Sequence, residues 1–232
     1  MGERRLTSVV LPCWVHDINS YRRIKRWLKF MDKHIKSRLG YDRIILLDNN
    51  SDIKFLQKLK ATVHTEDNEC LAVGRNDLFV YRYNKFYGRT GHLSYPYYWR
   101  AIYQLPKFKG TFYQSDKYYW IDSDVFIVKP EFIEHIKNQN TGFIRYMDRK
   151  YQWGESILMT INKDAFHLLT EHEQASGGWL NRNDEAESTL PKTFIDNTFN
   201  GGRYPEEGKQ QDDSMYWIGQ VNSKNYKVKF NE

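Results

Sequence analysis

Tyr118-Tyr119-Trp120-Ile121-Asp122-Ser123-Asp124-Val125-Phe126-Ile127-Val128 sets two carboxylates, one residue apart, inside an apolar run. Read as a continuous strand, the run alternates its side chains, so Asp122 and Asp124 point to the same side. Unpaired carboxylates among aromatic and β-branched residues are costly, because a buried anion must be paired or bind a metal. Two hard oxygen ligands at this spacing suit Mg²⁺ or Mn²⁺, ions that also take substrate phosphates. The competing reading is a turn between two short strands with both aspartates solvated, and a D-x-D triplet alone does not choose between them.

The chain before this stretch alternates strand and helix signals. Ser8 to Val15 is a short apolar run of the kind buried in parallel sheets. From Ser20 to Leu39, Ile24, Leu28, Met31 and Ile35 recur at helical spacing, and Gly40 ends the segment. Arg43 to Leu47 reads as a second buried strand, followed by the turn-forming Asp48-Asn49-Asn50-Ser51-Asp52. A short helix from Ile53 to Lys60 and a third strand from Thr62 to Thr65 come next. The order β-α-β-α-β predicts an α/β fold with a mostly parallel, doubly wound sheet, which binds ligands at the carboxyl ends of its strands. Asp48, and likewise His16, Asp17 and Asn19, follow such ends.

Arg75 to Leu105 is rich in Tyr and Arg and reads as partly helical, broken by Gly88, Gly91 and Pro96. Its last piece, Tyr97 to Leu105, is a helix leading into the D-x-D strand, here counted as the fourth. Beyond Pro130 the pattern predicts a helix (Glu131 to Lys137), strands at Thr141–Met147 and Glu155–Ile161, and a helix from Lys163 to His172. Glu173 to Gln211 thins in apolar residues and reads as a binding or lid region. Asp212 to Val221 is expected as a helix with Met215 and Ile218 on one face, and Tyr226 to Phe230 as a closing strand.

The 232 residues suit one domain, with 40% hydrophobic and 28% charged residues as in a globular chain. Aromatics reach 16%, which serves a sugar- or base-binding cleft and a packed core equally. The net charge of +6 fits attraction of nucleotides, anionic membranes or nucleic acid. Much of the excess lies in Arg22 to Lys29, read as the solvated outer face of a helix. Cys13 and Cys70 are too few for a disulfide framework or a zinc site, and no H-E-x-x-H arrangement exists. No apolar run reaches transmembrane length. The first apolar segment contains Pro12 and makes a poor signal peptide, and Leu6 stands where a myristoylation signal needs Ser or Thr. A cytoplasmic protein without a transmembrane segment, with peripheral membrane contact left open, is the expectation.

Four motifs in order resemble the GT-A glycosyltransferase superfamily: Leu47-Asp48-Asn49-Asn50-Ser51-Asp52 after the second strand; Gly74-Arg75-Asn76; Trp120-Ile121-Asp122-Ser123-Asp124-Val125 running to Val128-Lys129-Pro130; and Gln211-Asp212-Asp213-Ser214-Met215 with the closing Asn225 to Glu232. The resemblance implies a single GT-A-like domain, with a nucleotide-sugar-binding half over about residues 1–130 and an acceptor-binding half over about 131–232. It implies transfer of a hexosyl or pentosyl group from a nucleotide sugar, of UDP type, to a hydroxyl of a glycan or glycoconjugate, with Mn²⁺ or Mg²⁺ held by Asp122 and Asp124. Asp122 would touch the metal or the ribose. Asp48, Arg75, Val10 and Pro12 would border the nucleotide, with a surface ion pair as the alternative for Arg75. Asp212 and Asp213 are the candidate catalytic carboxylates, with helix capping as their alternative. Asp212 fits an inverting pattern, slightly favoured, and Asp213-Ser214-Met215 a retaining one. No His follows the closing segment, so the third metal ligand would be water or Asn231, or would belong to a longer protein of which this chain is a fragment. Trp153, Trp179 and Glu155 are candidates for meeting an acceptor sugar, and packing serves the two tryptophans equally.

Other readings compete. A sugar-nucleotide-forming nucleotidyltransferase needs a glycine-rich loop after the first strand, and Pro12-Cys13-Trp14-Val15-His16-Asp17 has no glycine. A basic, aromatic-rich nucleic-acid binder has no accompanying motif, and its acidic pair would repel phosphate, so no nucleic-acid partner is expected. A metal-independent binding protein on a degenerate transferase fold stays open.

Overall fold

Apolar runs that can be buried on both faces become the central strands. In the computed structural model, which describes residues 5–87, 95–145, 154–179, 199–200, 217–218 and 230, β1 (Thr7–Cys13) lies beside β2 (Arg43–Asp48), and every β2 residue is buried. β3 (Thr62–Thr65), β4 (Cys70–Ala72), β5 (Leu78–Arg82), β6 (Lys117–Ile121), β8 (Gly142–Arg145), β9 (Gly154–Asn162) and β10 (Phe199–Asn200) complete a nine-stranded sheet in the order β10-β8-β9-β6-β1-β2-β5-β3-β4. The five strands β6-β1-β2-β5-β3 are parallel, while β4 and β9 run antiparallel to their neighbours. The fold class is therefore as expected: α/β with a mixed, mostly parallel sheet.

Strand alternation divides the core between the two faces. Val9, Leu11, Ile44, Leu46, Val63 and Val80 pack with α1 (Ile18–Phe30), α3 (Ile53–Lys58) and α5 (Pro130–Asn138). Val10, Ile45, Leu47, Phe79, Tyr118 and Trp120 pack with α4 (Tyr95–Lys107) and α6 (Phe166–Ala175). Buried aromatics lie on both faces, Trp27, Phe30, Tyr119 and Phe126 on the first and Trp99, Tyr103, Phe108, Tyr118 and Trp120 on the second. Much of the aromatic content is therefore core.

Several elements depart from the sequence reading. The single helix expected from Ser20 to Leu39 is α1, a π turn over Met31–Ile35, and the short α2 (Lys36–Leu39), closed by Gly40 at φ 76°. Met31, Ile35 and Leu39 recur at steps of four, longer than the α-helical repeat, and the wider π turn keeps all three buried. The region from Arg75, read as partly helical, begins with β5, because Leu78-Phe79-Val80-Tyr81 is a β-branched and aromatic run that fits between β2 and β3. The D-x-D segment thus follows the sixth strand in chain order, not the fourth. Trp217–Ile218, expected in a helix, form β11, paired antiparallel with β7 (Phe126–Ile127). Pairing to an open strand overrides the weak helical spacing of Met215 and Ile218. Within the closing segment, Phe230 stacks on His34 with centroids 4.8 Å apart, beneath the Arg38 guanidinium.

Candidate functional site

Strand order determines where a crevice opens. The chain moves from β1 to β2 on one side and returns to place β6 on the other, so neighbouring connections diverge between β1 and β6. In open α/β sheets, ligands bind at such a switch point, beyond the carboxyl ends of the strands. A cavity of about 140 Å³ lies there. Its walls are Pro12, Cys13 and Trp14 at the end of β1, Asn49 after β2, Arg23 and Ile24 from α1, Tyr97 and Tyr98 from α4, and Asp122, Ser123 and Asp124 after β6.

The D-x-D segment is a turn, not a strand. β6 ends at Ile121, the chain turns through Asp122 to Asp124, and the Val125 N–H donates to the Asp122 carbonyl at 3.0 Å. Side-chain alternation therefore does not set the two carboxylates; the turn does, and it leaves all three residues half-buried at the cleft. The turn is held from both faces of the sheet. Trp120 Nε1 donates to Asp122 Oδ1 at 3.0 Å, and the fully buried Trp27 of α1 donates through Nε1 to the Val125 carbonyl at 3.1 Å. Tyr98 packs edge-on against Trp120, fixing the ring that orients Asp122.

The β1 and β2 ends are tied by α4. The Tyr97 hydroxyl accepts from the Cys13 N–H at 2.7 Å and lies within donating range of the Cys13 and Leu47 carbonyls. Trp14 stacks on His16 with centroids 3.9 Å apart and meets Phe86 at 4.6 Å, giving an aromatic rim at the cleft.

Asp48, at the end of β2, is held by protein donors. Its side chain is fully buried: one oxygen accepts from the Ser51 N–H at 3.0 Å, the other from the Ser51 hydroxyl, and Arg82 Nε stands 3.5 Å away. Burial pushes the carboxyl up to about 6, against the pull of Ser51 and Arg82. The Ser51 hydroxyl in turn accepts from the Val15 N–H at 2.5 Å. Asp48 thus knots the post-β2 turn to the chain after β1, and its neighbour Asn49, not Asp48 itself, lines the cavity.

Arg75 is not brought to the cleft. Its guanidinium pairs with Asp32 at 2.9 and 3.1 Å and with Asp77 at 2.8 and 3.1 Å, which raises its pKa further above the usual arginine value. Asp77 precedes β5, so this pair sits at the amino ends of the parallel strands, the opposite edge from the cavity. Val10 is fully buried in the face that packs on α4, and Pro12 lines the cavity. Trp179 packs edge-on against Tyr87 and beneath Arg100. Asp212, Asp213, Trp153 and Asn231 lie outside the described residues, as does the side chain of Glu155.

Sequence reasoning passed over Arg23, Trp14, Tyr97 and Tyr98. Arg23 could have been found: on a helix whose buried face carries Ile24 and Trp27, positions 23 and 26 flank the core while 22, 25 and 29 face water. Trp14 had the signal of standing just past a buried strand.

A divalent cation fits part of this arrangement. Asp122 and Asp124 are accessible carboxylates on one turn, and Mg²⁺-type ions are bound by one or two carboxylates with water and phosphate oxygens completing the shell. Among the described residues, no group of three or more His, Cys, Asp or Glu converges as a complete protein cage.

Comparison at the sequence level gives no match, either to a family model or to a curated protein. Solved structures do resemble this one. The galactosyltransferase LgtC, in complex with donor and acceptor sugar analogs, matches at TM-score 0.53 and 11% identity over 92% of this chain and 87% of its own. An active-site mutant of LgtC matches at TM-score 0.50 and 12% identity with the same coverage. A glycosyltransferase involved in glycosylation of the major capsid of PBCV-1 covers 94% of both chains at TM-score 0.46 and 11% identity. At such identities the likeness speaks of architecture, and with the β6-β1-β2 crevice and the turn at its mouth it shows that this chain has the GT-A glycosyltransferase fold.

Proposed function

We propose that the chain is a glycosyltransferase that moves a sugar from a nucleoside-diphosphate sugar, of UDP type, to an acceptor hydroxyl of a glycan or glycoconjugate. The observation that carries this reading is the Asp122-Ser123-Asp124 turn at the switch-point cavity, clamped by Trp120 and Trp27. Asp122 and Asp124 would hold Mn²⁺ or Mg²⁺, which stabilises the negative charge on a departing diphosphate. Trp120 holds one oxygen of Asp122 through its N–H, keeping the carboxylate oriented toward the cleft. Trp14, stacked on His16 and tilted against Phe86, belongs to an aromatic rim that a nucleobase would meet, and Asn49 also lines the cavity. A fold relative solved with donor and acceptor sugar analogs supports reading the cleft as a donor site. The acceptor hydroxyl needs a base, and Asp212, then Asp213, are the proposed carboxylates of an inverting transfer.

Calorimetric titration with UDP in the presence of Mn²⁺ tests the site. The wild type binds, and the Asp122→Ala/Asp124→Ala double variant loses that binding while keeping its unfolding midpoint. Equal affinity in the two proteins would refute the assignment. A screen of nucleotide sugars for slow hydrolysis with Mn²⁺ then identifies the donor without needing the acceptor.

A further inference from the structure

The basic run of α1 is split by the fold into two groups. Arg22, Lys25 and Lys29 are exposed, whereas Arg23 and Arg26 are half-buried, Arg23 at the cavity with the D-x-D turn and Arg26 within electrostatic reach of Asp124. Arg23 lines the cavity together with Asp122, Ser123 and Asp124. Its Nε is buried with no hydrogen-bond partner among the described residues. Arg26 follows one turn later, with its guanidinium 5.5 Å from the Phe126 ring, and its charge interacts with those of Arg23 and Asp124. Trp27 fixes this stretch of helix to the turn through its bond to the Val125 carbonyl.

Two guanidiniums placed this close repel each other, and desolvation adds to the cost. If Arg23 were only a counter-ion for the D-x-D carboxylates, its buried Nε would be turned to a protein acceptor, yet among the described residues that Nε has no hydrogen-bond partner. A dication at Asp122 and Asp124 would offset their two charges and leave the Arg23 and Arg26 guanidiniums facing the negative diphosphate of a sugar nucleotide. Guanidinium forks are well shaped for phosphate oxygens.

From this geometry we infer that Arg23, supported by Arg26, is a diphosphate-binding residue of the cleft, contributed by the first helix and contacting the phosphate side of the ligand rather than its base. The inference rests on the glycosyltransferase reading of the same cavity. It also assigns the phosphate-facing cation to Arg23, since Arg75 is engaged at the far edge of the sheet.

The test compares wild type, Arg23→Gln, Arg26→Gln and Arg23→Lys in titrations with UDP, inorganic pyrophosphate and uridine at saturating Mn²⁺. Loss of a charge-assisted contact predicts UDP and pyrophosphate binding weakened about tenfold or more in Arg23→Gln. Arg26→Gln weakens both less, uridine affinity does not change, and Arg23→Lys recovers part of the loss. UDP binding that is unchanged or tighter in Arg23→Gln overturns the inference while leaving the transferase reading intact. Equal weakening of UDP and uridine overturns it too, since that marks a general disturbance of the cleft. A wild type that binds none of the three probes overturns both.

Discussion

Asp48 makes a pH-dependent prediction whose size follows from its surroundings. The carboxyl is fully buried and titrates at about 6 in the folded chain, against an ordinary 3.8. That gap corresponds to about 3 kcal/mol at about 1.36 kcal/mol per pKa unit. Because the folded value is the higher one, the folded chain holds its proton where the unfolded chain has released it. Stability from this group is therefore greatest below about pH 4, falls by about 3 kcal/mol as pH rises to 6, and is flat above. Asp77, held down at about 2 by Arg75, and Asp17, Asp52 and Asp116, also depressed, act in the opposite sense at lower pH. Asp48→Asn removes the Asp48 contribution and leaves the others in place. The measurement is urea unfolding of both proteins from pH 4 to 7.5, followed by the fluorescence of the buried Trp27, Trp99 and Trp120. The stability difference between wild type and Asp48→Asn should drift by about 3 kcal/mol across that range, with wild type relatively more stable at the acid end. Two parallel curves would refute the reasoning, whatever their constant offset.

Arg75→Ala is expected to leave UDP–Mn²⁺ affinity unchanged in calorimetry and to cost only about 1 kcal/mol of stability, less at high salt, because its ion pairs are a third exposed; a loss of nucleotide binding would return Arg75 to the site. Gly74→Ala places a Cβ 2.1 Å from the Lys60 carbonyl oxygen and 2.6 Å from the Ala61 carbonyl carbon. Backbone must move there, at a cost of about 3 kcal/mol in urea unfolding, and an unchanged midpoint would disprove the close approach.

The fold was legible in the chain because its central strands are buried on both faces. Such strands must be apolar throughout, so Val9 to Leu11 and Ile44 to Leu47 announce themselves. What stayed hidden depends on pairing partners far away in sequence. β5 sits in a stretch of mixed Tyr and Arg and becomes a strand because β2 and β3 leave a gap for it. β11 is two residues long and exists through its ladder to β7. At the site, Asp122 and Asp124 stand together at a cleft, and the turn that the sequence left as the competing reading is what holds them, bonded by Trp120 and Trp27 and not set by strand alternation. Motif spacing brought Asp48 and Arg75 forward as nucleotide neighbours, with a surface ion pair as the alternative for Arg75; packing shows Arg75 in such a pair with Asp32 and Asp77, and Asp48 tied to Ser51.

The division of labour between the two aspartate motifs follows from burial. A carboxylate that is to bind a cation has to exchange its water for the ion reversibly, so it cannot also be committed to protein donors on every oxygen. Asp48 is committed on both oxygens and is fully buried, which makes it a fastener whose charge is already expensive. Asp122, which accepts from Trp120, and Asp124 are half-buried and line the cavity, so solvent reaches them. The fastener still serves the site. By holding Ser51, Asp48 fixes the chain at Val15, just past Trp14, and its neighbour Asn49 reaches the Cys13 carbonyl through its own N–H at 2.9 Å. The β1 end, with Pro12, Cys13 and Trp14, is thereby held against the β6 turn from one side while α1 holds it from the other. A rigid frame of this kind lets the residues lining the cavity stay polar and accessible without collapsing into the core.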